Sequence, residues 1–121
     1  MANKSPKPLE WIGSSKNDLK RFPFKVVQEM GYALYLAQIN QKAGNVKVLK
    51  GFGGASALEV VEDHQSGTYR AVYTVKFPGV VYVLHAFQKK SKAGIATPKP
   101  DIDPLMGRLK AASDQYKSRN Q

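Results

Sequence analysis

The sequence predicts an α+β domain: an antiparallel sheet of about four strands, two N-terminal helices packed on one face, and a C-terminal helix. Three observations predict it. Residues 57–88 alternate in polarity and are punctuated by turn residues at His64-Gln65-Ser66-Gly67 and Pro78-Gly79, which reads as a three-stranded meander. Residues 23–40 carry apolar side chains three and four apart, the helical spacing. A second helical stripe follows the meander. A chain of 121 residues suits one domain, spanning 1–121, with residues 1–7 and 117–121 expected to be unstructured tails.

In chain order, Pro8-Leu9-Glu10-Trp11-Ile12-Gly13 alternates briefly and reads as a first strand. Ser14-Ser15 supplies N-cap chemistry for a short helix ending at Phe22. Pro23 breaks that helix and opens the next, in which Val27, Met30, Leu34 and Ala37 form the packing stripe. A second strip, Tyr32, Tyr35, Leu36 and Ile39, lies beside it. So wide an apolar arc predicts a helix sandwiched between the sheet and the first helix, with Trp11 and the paired tyrosines as core aromatics. Gly44-Asn45 is the expected helix end. Gly51-Phe52-Gly53-Gly54 lacks the Gly-Lys-Ser/Thr of a phosphate loop, since Ala55 follows, and reads as a connector.

The meander supplies strands at about 57–63, 68–77 and 80–88. In the second, Tyr69, Ala71, Tyr73, Val75 and Phe77 face one way, and Thr68, Arg70, Val72, Thr74 and Lys76 the other. The third is apolar on both faces, as a central strand tends to be. Lys89, Lys90 and Lys92 cluster at its end. The last helix, about 100–116, packs through Leu105, Leu109 and Ala112 and turns Arg108 and Lys110 elsewhere. Helices on one side leave the Arg70 side of the sheet as the expected open, functional face.

Nineteen Lys and Arg against nine Asp and Glu give a net charge of +10, which favours phosphate-rich partners. The charge is uneven: nine basic and three acidic residues in 1–56, two and three in 57–88, eight and three in 89–121. Basic flanks thus frame a nearly neutral sheet. The absence of cysteine excludes disulfides, thiolate metal sites and a cysteine nucleophile. Met1–Lys7 has no apolar signal region and no run is long enough to span a bilayer, so a cytoplasmic location is expected. Glu62 and Asp63 read as solvated hairpin charges, and no metal or other cofactor is expected.

Thr68-Tyr69-Arg70-Ala71-Val72-Tyr73, Leu84-His85-Ala86-Phe87-Gln88-Lys89-Lys90, Lys92 and Thr97-Pro98 resemble the RelE/ParE toxin superfamily, closest to its phage-derived, HigB-like branch. Leu58-Glu59-Val60, Lys50-Gly51-Phe52-Gly53-Gly54 and Asp18-Leu19 also fit, so the resemblance covers about residues 8–112. It implies a RelE-like fold and a type II toxin that cleaves ribosome-bound mRNA. Its implied partners are the ribosome, mRNA and a cognate antitoxin, often of helix-turn-helix type. A gyrase-poisoning toxin of the ParE kind, or an inactive phage-derived RNA-binding module, would share the fold. The resemblance places Arg70 against the scissile phosphate, Lys90 as a second cation and Glu59 where some members carry a catalytic carboxylate. The pattern departs from the family in having no tyrosine between Lys92 and Pro100.

RNA cleavage without a metal needs a base for the 2′-hydroxyl, cations for the phosphorane and an acid for the 5′-oxygen. Arg70, Lys90, Glu59 and His85 are therefore the expected catalytic set, and Lys47, Lys50, Lys89, Lys92 and Arg108 the expected RNA-binding set. Arg70 could equally form a cross-strand ion pair with Glu59. Periodicity leaves open which face carries His85, and His64 reads as an exposed turn residue.

Overall fold

The computed structural model describes residues 5–49, 57–89 and 99–120. Its elements are β1 (Leu9–Trp11), α1 (Ser15–Lys20), α2 (Phe24–Gln38), β2 (Val46–Val48), β3 (Leu58–His64), β4 (Gly67–Thr74), β5 (Val81–Lys89) and α3 (Lys99–Arg119). The class is α+β, as the sequence predicts. The sheet, however, has five strands in the order β1-β5-β4-β3-β2, and it is mixed. The added strand β2 pairs antiparallel with β3, whereas β1 lies parallel to β5. Both edge strands are three residues long, which limits the exposed hydrogen-bonding edge.

Local chemistry sets the element ends. Pro23 occupies the N-cap position of α2 with an extended backbone. The helix ends earlier than Gly44. Asn40 takes a left-handed φ of 65°, its N–H bonds the Ala37 carbonyl and the Gln41 N–H reaches back to Leu36. That is a Schellman ending, with asparagine in the place usually taken by glycine. In α1, Ser14 donates to the Asp18 carboxylate at 2.7 Å, and buried Ser15 ties the helix to β5 by donating to the Val83 carbonyl.

Helices cover both faces of the sheet. On one, Leu19 of α1 and Val26, Met30, Ala33, Leu34 and Ala37 of α2 pack on Val60, Ala71, Tyr73, Val81, Val83 and Ala86. On the other, Leu105 and Ala112 of α3, flanked by Ile102, Leu109 and Tyr116, pack on Val72, Tyr82, Leu84 and Phe87. The second face is therefore closed, contrary to the open face the sequence predicts. The C-terminal stretch is not a loose tail either. α3 runs three residues past Tyr116, the Tyr116 hydroxyl donates to the Pro78 carbonyl, and Arg119 pairs with Glu10 at 2.9 Å. At the other end Lys7 donates its backbone N–H to Gln38, so residues 5–7 are not all loose.

A register shift between Val72 and Tyr73 places one extra β5 residue, Leu84, between their partners His85 and Val83. A bulge of this kind reverses side-chain parity. Val81 and Val83 face α1 and α2, while His85 and Phe87 share the α3 side with Val72 and Arg70.

Tyr73 sits in the first core, 1% exposed, and burial pushes its hydroxyl pKa up to about 12. The folded state holds this proton more tightly than the unfolded chain, so stability is lost as pH rises from the ordinary tyrosine value of 10 through 12. The full loss from this group is about 3 kcal/mol. Urea titrations between pH 9 and 12 should show the decline, and Tyr73→Phe should flatten it. An equal decline in the variant would assign the effect to other groups.

Candidate nucleic-acid interface

Adjacent strands bring three charged side chains to one place. Alternation sends Val60 and Ala71 into the first core, so Glu59 of β3 and Arg70 of β4 project to the opposite side. Glu59 stands opposite Val72, and Arg70 lies two residues along β4 from Val72, in the diagonal relation that long side chains span. The Arg70 guanidinium donates to the Glu59 carboxylate at 3.0 Å, and both side chains are only 2% exposed. Lys89 of β5 stands opposite Thr68, whose hydroxyl donates to Asp63. Lys47 of β2 stands opposite Glu59 and is exposed. The result is a row, Lys47–Glu59–Arg70–Lys89, crossing four strands.

Lys89 is itself 2% exposed. Loss of water, reinforced by the Arg70 guanidinium and more weakly by Lys47, lowers its pKa from the ordinary lysine value, while Glu59 pulls the other way. Burying charges is costly unless they are paired and hydrogen-bonded. A fold that places two cations and a carboxylate side by side out of water holds a preorganised electrostatic site.

His85 extends the row along β5. Its ring stacks on Phe87 with centroids 5.0 Å apart, and Phe87 stands directly opposite Arg70. The Arg108 guanidinium lies 3.0 Å from His85 Nδ1. Since guanidinium can only donate, Nδ1 accepts and the neutral ring carries its proton on Nε2. Arg108 also donates to the Leu84 carbonyl at 2.9 Å and to Ser14 Oγ at 3.2 Å. It passes so close to Gly13 (φ 58°) that a Cβ there would sit 3.0 Å from its Nε. Arg108 therefore pins α3 to β5 and to the β1–α1 turn, a role the expected RNA contact did not include.

The structure thus unites Glu59, Arg70 and Lys89, with Lys47 at the rim and His85 on the same face. Lys50, Lys90 and Lys92 lie outside the described residues. The sequence reading did not give a role to Phe87, although its parity with His85 was visible, nor to Ser14 as an acceptor for Arg108 or Gly13 as the place where Arg108 passes close to the backbone. His64 is not the exposed turn residue the sequence predicts: it ends β3, paired with Gly67 and half-buried, and its ring bonds Ser66 in the turn. Among the described residues, no three His, Cys, Asp or Glu side chains cluster to hold a metal ion. No helix among the described residues is long and apolar enough to cross a membrane.

The model of the phage derived protein Gp49-like family (DUF891) matches residues 17–110, most of the chain and all of the row. The chain belongs to that family. Among solved structures, the Gp49-like chain is similar to a double mutant of the Escherichia coli toxin RelE in the free state. The TM-score is 0.57 at 16% identity, over 87% of this chain and 99% of that one. This likeness establishes a RelE-like fold. A chain from the toxin–antitoxin complex RelBE2 of Mycobacterium tuberculosis also aligns, with TM-score 0.48 and 17% identity over 70% of this chain and 100% of that one. No curated protein matches the Gp49-like sequence.

Proposed function

We propose that this Gp49-like chain is the toxin of a type II toxin–antitoxin system, of the HigB-like kind, and that it cleaves mRNA on the ribosome. The observation that carries the reading is the buried row itself, two cations and a carboxylate side by side in a chain of net charge +10. Family membership and the RelE-like fold support it.

In this reading the 2′-hydroxyl gives its proton to the Glu59 carboxylate as its oxygen attacks phosphorus, a 2′,3′-cyclic phosphate forms, and the P–O5′ bond breaks with a proton delivered to the 5′-oxygen. Arg70 grips the phosphoryl oxygens, because its planar fork matches two of them. Glu59 holds that fork in place. Lys89, whose lowered pKa brings it nearer the range useful for proton transfer, serves the charge on phosphorus and the departing oxygen. His85 offers a donor at Nε2. Lys47 steers the backbone toward the row. Arg70 and Lys89 are enclosed, at 1% and 2% exposure, so this reading requires the site to open before a phosphodiester can reach them. Lys50, Lys90 and Lys92 join the proposal as further cations on the sequence argument alone.

Induced expression without an antitoxin should arrest growth, cut incorporation of labelled amino acids about tenfold or more within minutes, and produce new 5′ ends within translated mRNAs. Continued incorporation accompanied by DNA breaks would instead identify a gyrase poison. Normal growth with soluble protein would mark an inactive RNA-binding module.

A further inference from the structure

We propose that the outward face of α2 is a docking surface for an amphipathic helix of an acidic partner chain, which on the toxin reading above is the antitoxin. α2 buries Val26, Met30, Ala33, Leu34 and Ala37. On the opposite side it presents Phe24, Gln28, Gly31, Tyr32 and Tyr35 to solvent, with the aromatic side chains 77%, 60% and 45% exposed. The sequence predicts the tyrosines inside a sandwich, yet α1 leaves this arc uncovered. At 100° per residue the five positions fall within one arc of about a third of the helix circumference. No charged residue lies in it, in a chain that is 23% charged.

Gly31 sharpens the reading. It sits mid-helix with ordinary helical geometry, where glycine costs about 1 kcal/mol against alanine. A Cβ added there would meet nothing within 4 Å. Neither backbone conformation nor packing within the chain calls for glycine at this position. What a missing side chain provides is a notch on the outer surface, flanked by Gln28, Tyr32 and Tyr35, into which another backbone can settle. Exposed aromatics around a central notch match the anchors of a helix–helix interface.

Charge selects the occupant. Arg21 and Lys25 stand exposed at one end of the stripe and Lys42 beyond the other, so a helix with acidic flanks is complementary. A second copy would bring another +10 body onto the same surface. A nucleic acid would want cations within the stripe, and there are none.

The test pairs this chain with the product of the reading frame adjoining its gene, co-expressed and purified. Gly31→Gln replaces a poor helix former by a good one in open space and should leave the melting temperature unchanged or higher. It should nevertheless weaken the complex at least 30-fold in calorimetric titration, as should Tyr35→Ala. Growth arrest by either variant expressed alone should equal that of the unmodified chain. Unchanged affinity in both variants would overturn the proposal, and so would a neighbouring product that fails to bind the unmodified chain. A homodimer in light scattering that Gly31→Gln converts to monomer, or RNA retention lost by the same change, would also overturn it. Failure of the toxin reading shows separately, as normal growth of cells expressing the unmodified chain.

Discussion

Arg70→Ala is expected to cost about 3–5 kcal/mol of stability, because it breaks a buried ion pair and takes one cation from a carboxylate held in a site sealed from water. At 2% side-chain exposure for each partner, solvent screening offers little relief. A substitution that removes both charges behaves differently. Glu59→Leu with Arg70→Met replaces the pair by apolar groups of similar size, and such replacements are often neutral or better. Urea denaturation of the two single variants and the double variant should therefore reveal a coupling of about 2 kcal/mol or more. The same set separates structure from function. The double variant should fold, yet lose growth arrest and mRNA cleavage, since no guanidinium remains to grip phosphate. A folded double variant that still arrests growth would leave the pair a purely structural ion pair. A cost below about 1 kcal/mol for Arg70→Ala would instead show that the pair is well hydrated in solution.

Much of this geometry was legible before any coordinates. The alternation of residues 68–74 and the two-residue turn at Gln65–Ser66 define the β3–β4 hairpin, and that register alone puts Glu59 diagonal to Arg70. Met30, Leu34 and Ala37 mark the buried side of α2. What was not legible depends on contacts distant in sequence. The parallel pairing of β1 with β5 joins residues about 72 apart and leaves no periodic trace. The bulge at Leu84 inverts parity within a single strand, so alternation could not assign His85 to a face. β2 is three residues long, too short for any period to show.

The closed second face has a signal in the sequence. β5 is apolar on both sides, and α3 carries its own apolar stripe at Leu105, Leu109 and Ala112. Two apolar surfaces with no other place to be buried must meet each other. Conversely, the tyrosines of α2 look like core residues by hydropathy alone. Only the placement of α1 shows that nothing in the described chain covers them.

Lys89→Met is expected to remove growth arrest while making the protein more stable. The lowered pKa of Lys89 means that the folded state disfavours its proton relative to the unfolded chain. Between that lowered value and the ordinary lysine value of 10.5, the unfolded chain binds more protons, so stability rises with pH across this window. Below the window the ammonium stays charged, and its burial is offset only in part by the Glu59 carboxylate. Methionine fills a similar volume with no charge to desolvate, so at pH 7 the variant should unfold at higher urea than the unmodified chain. Its stability should also no longer climb toward pH 10. Cleavage should fall about 10²-fold or more, the scale for losing a group that serves transition-state charge or proton transfer. Urea midpoints at pH 7 and 9, with 5′-end mapping of cellular mRNA, read both effects. If the variant were less stable and still cut mRNA, Lys89 would be a packing residue and the row would lose its chemical centre. A gain in stability with loss of activity is the pattern left where a fold keeps a costly charge for the sake of its substrate.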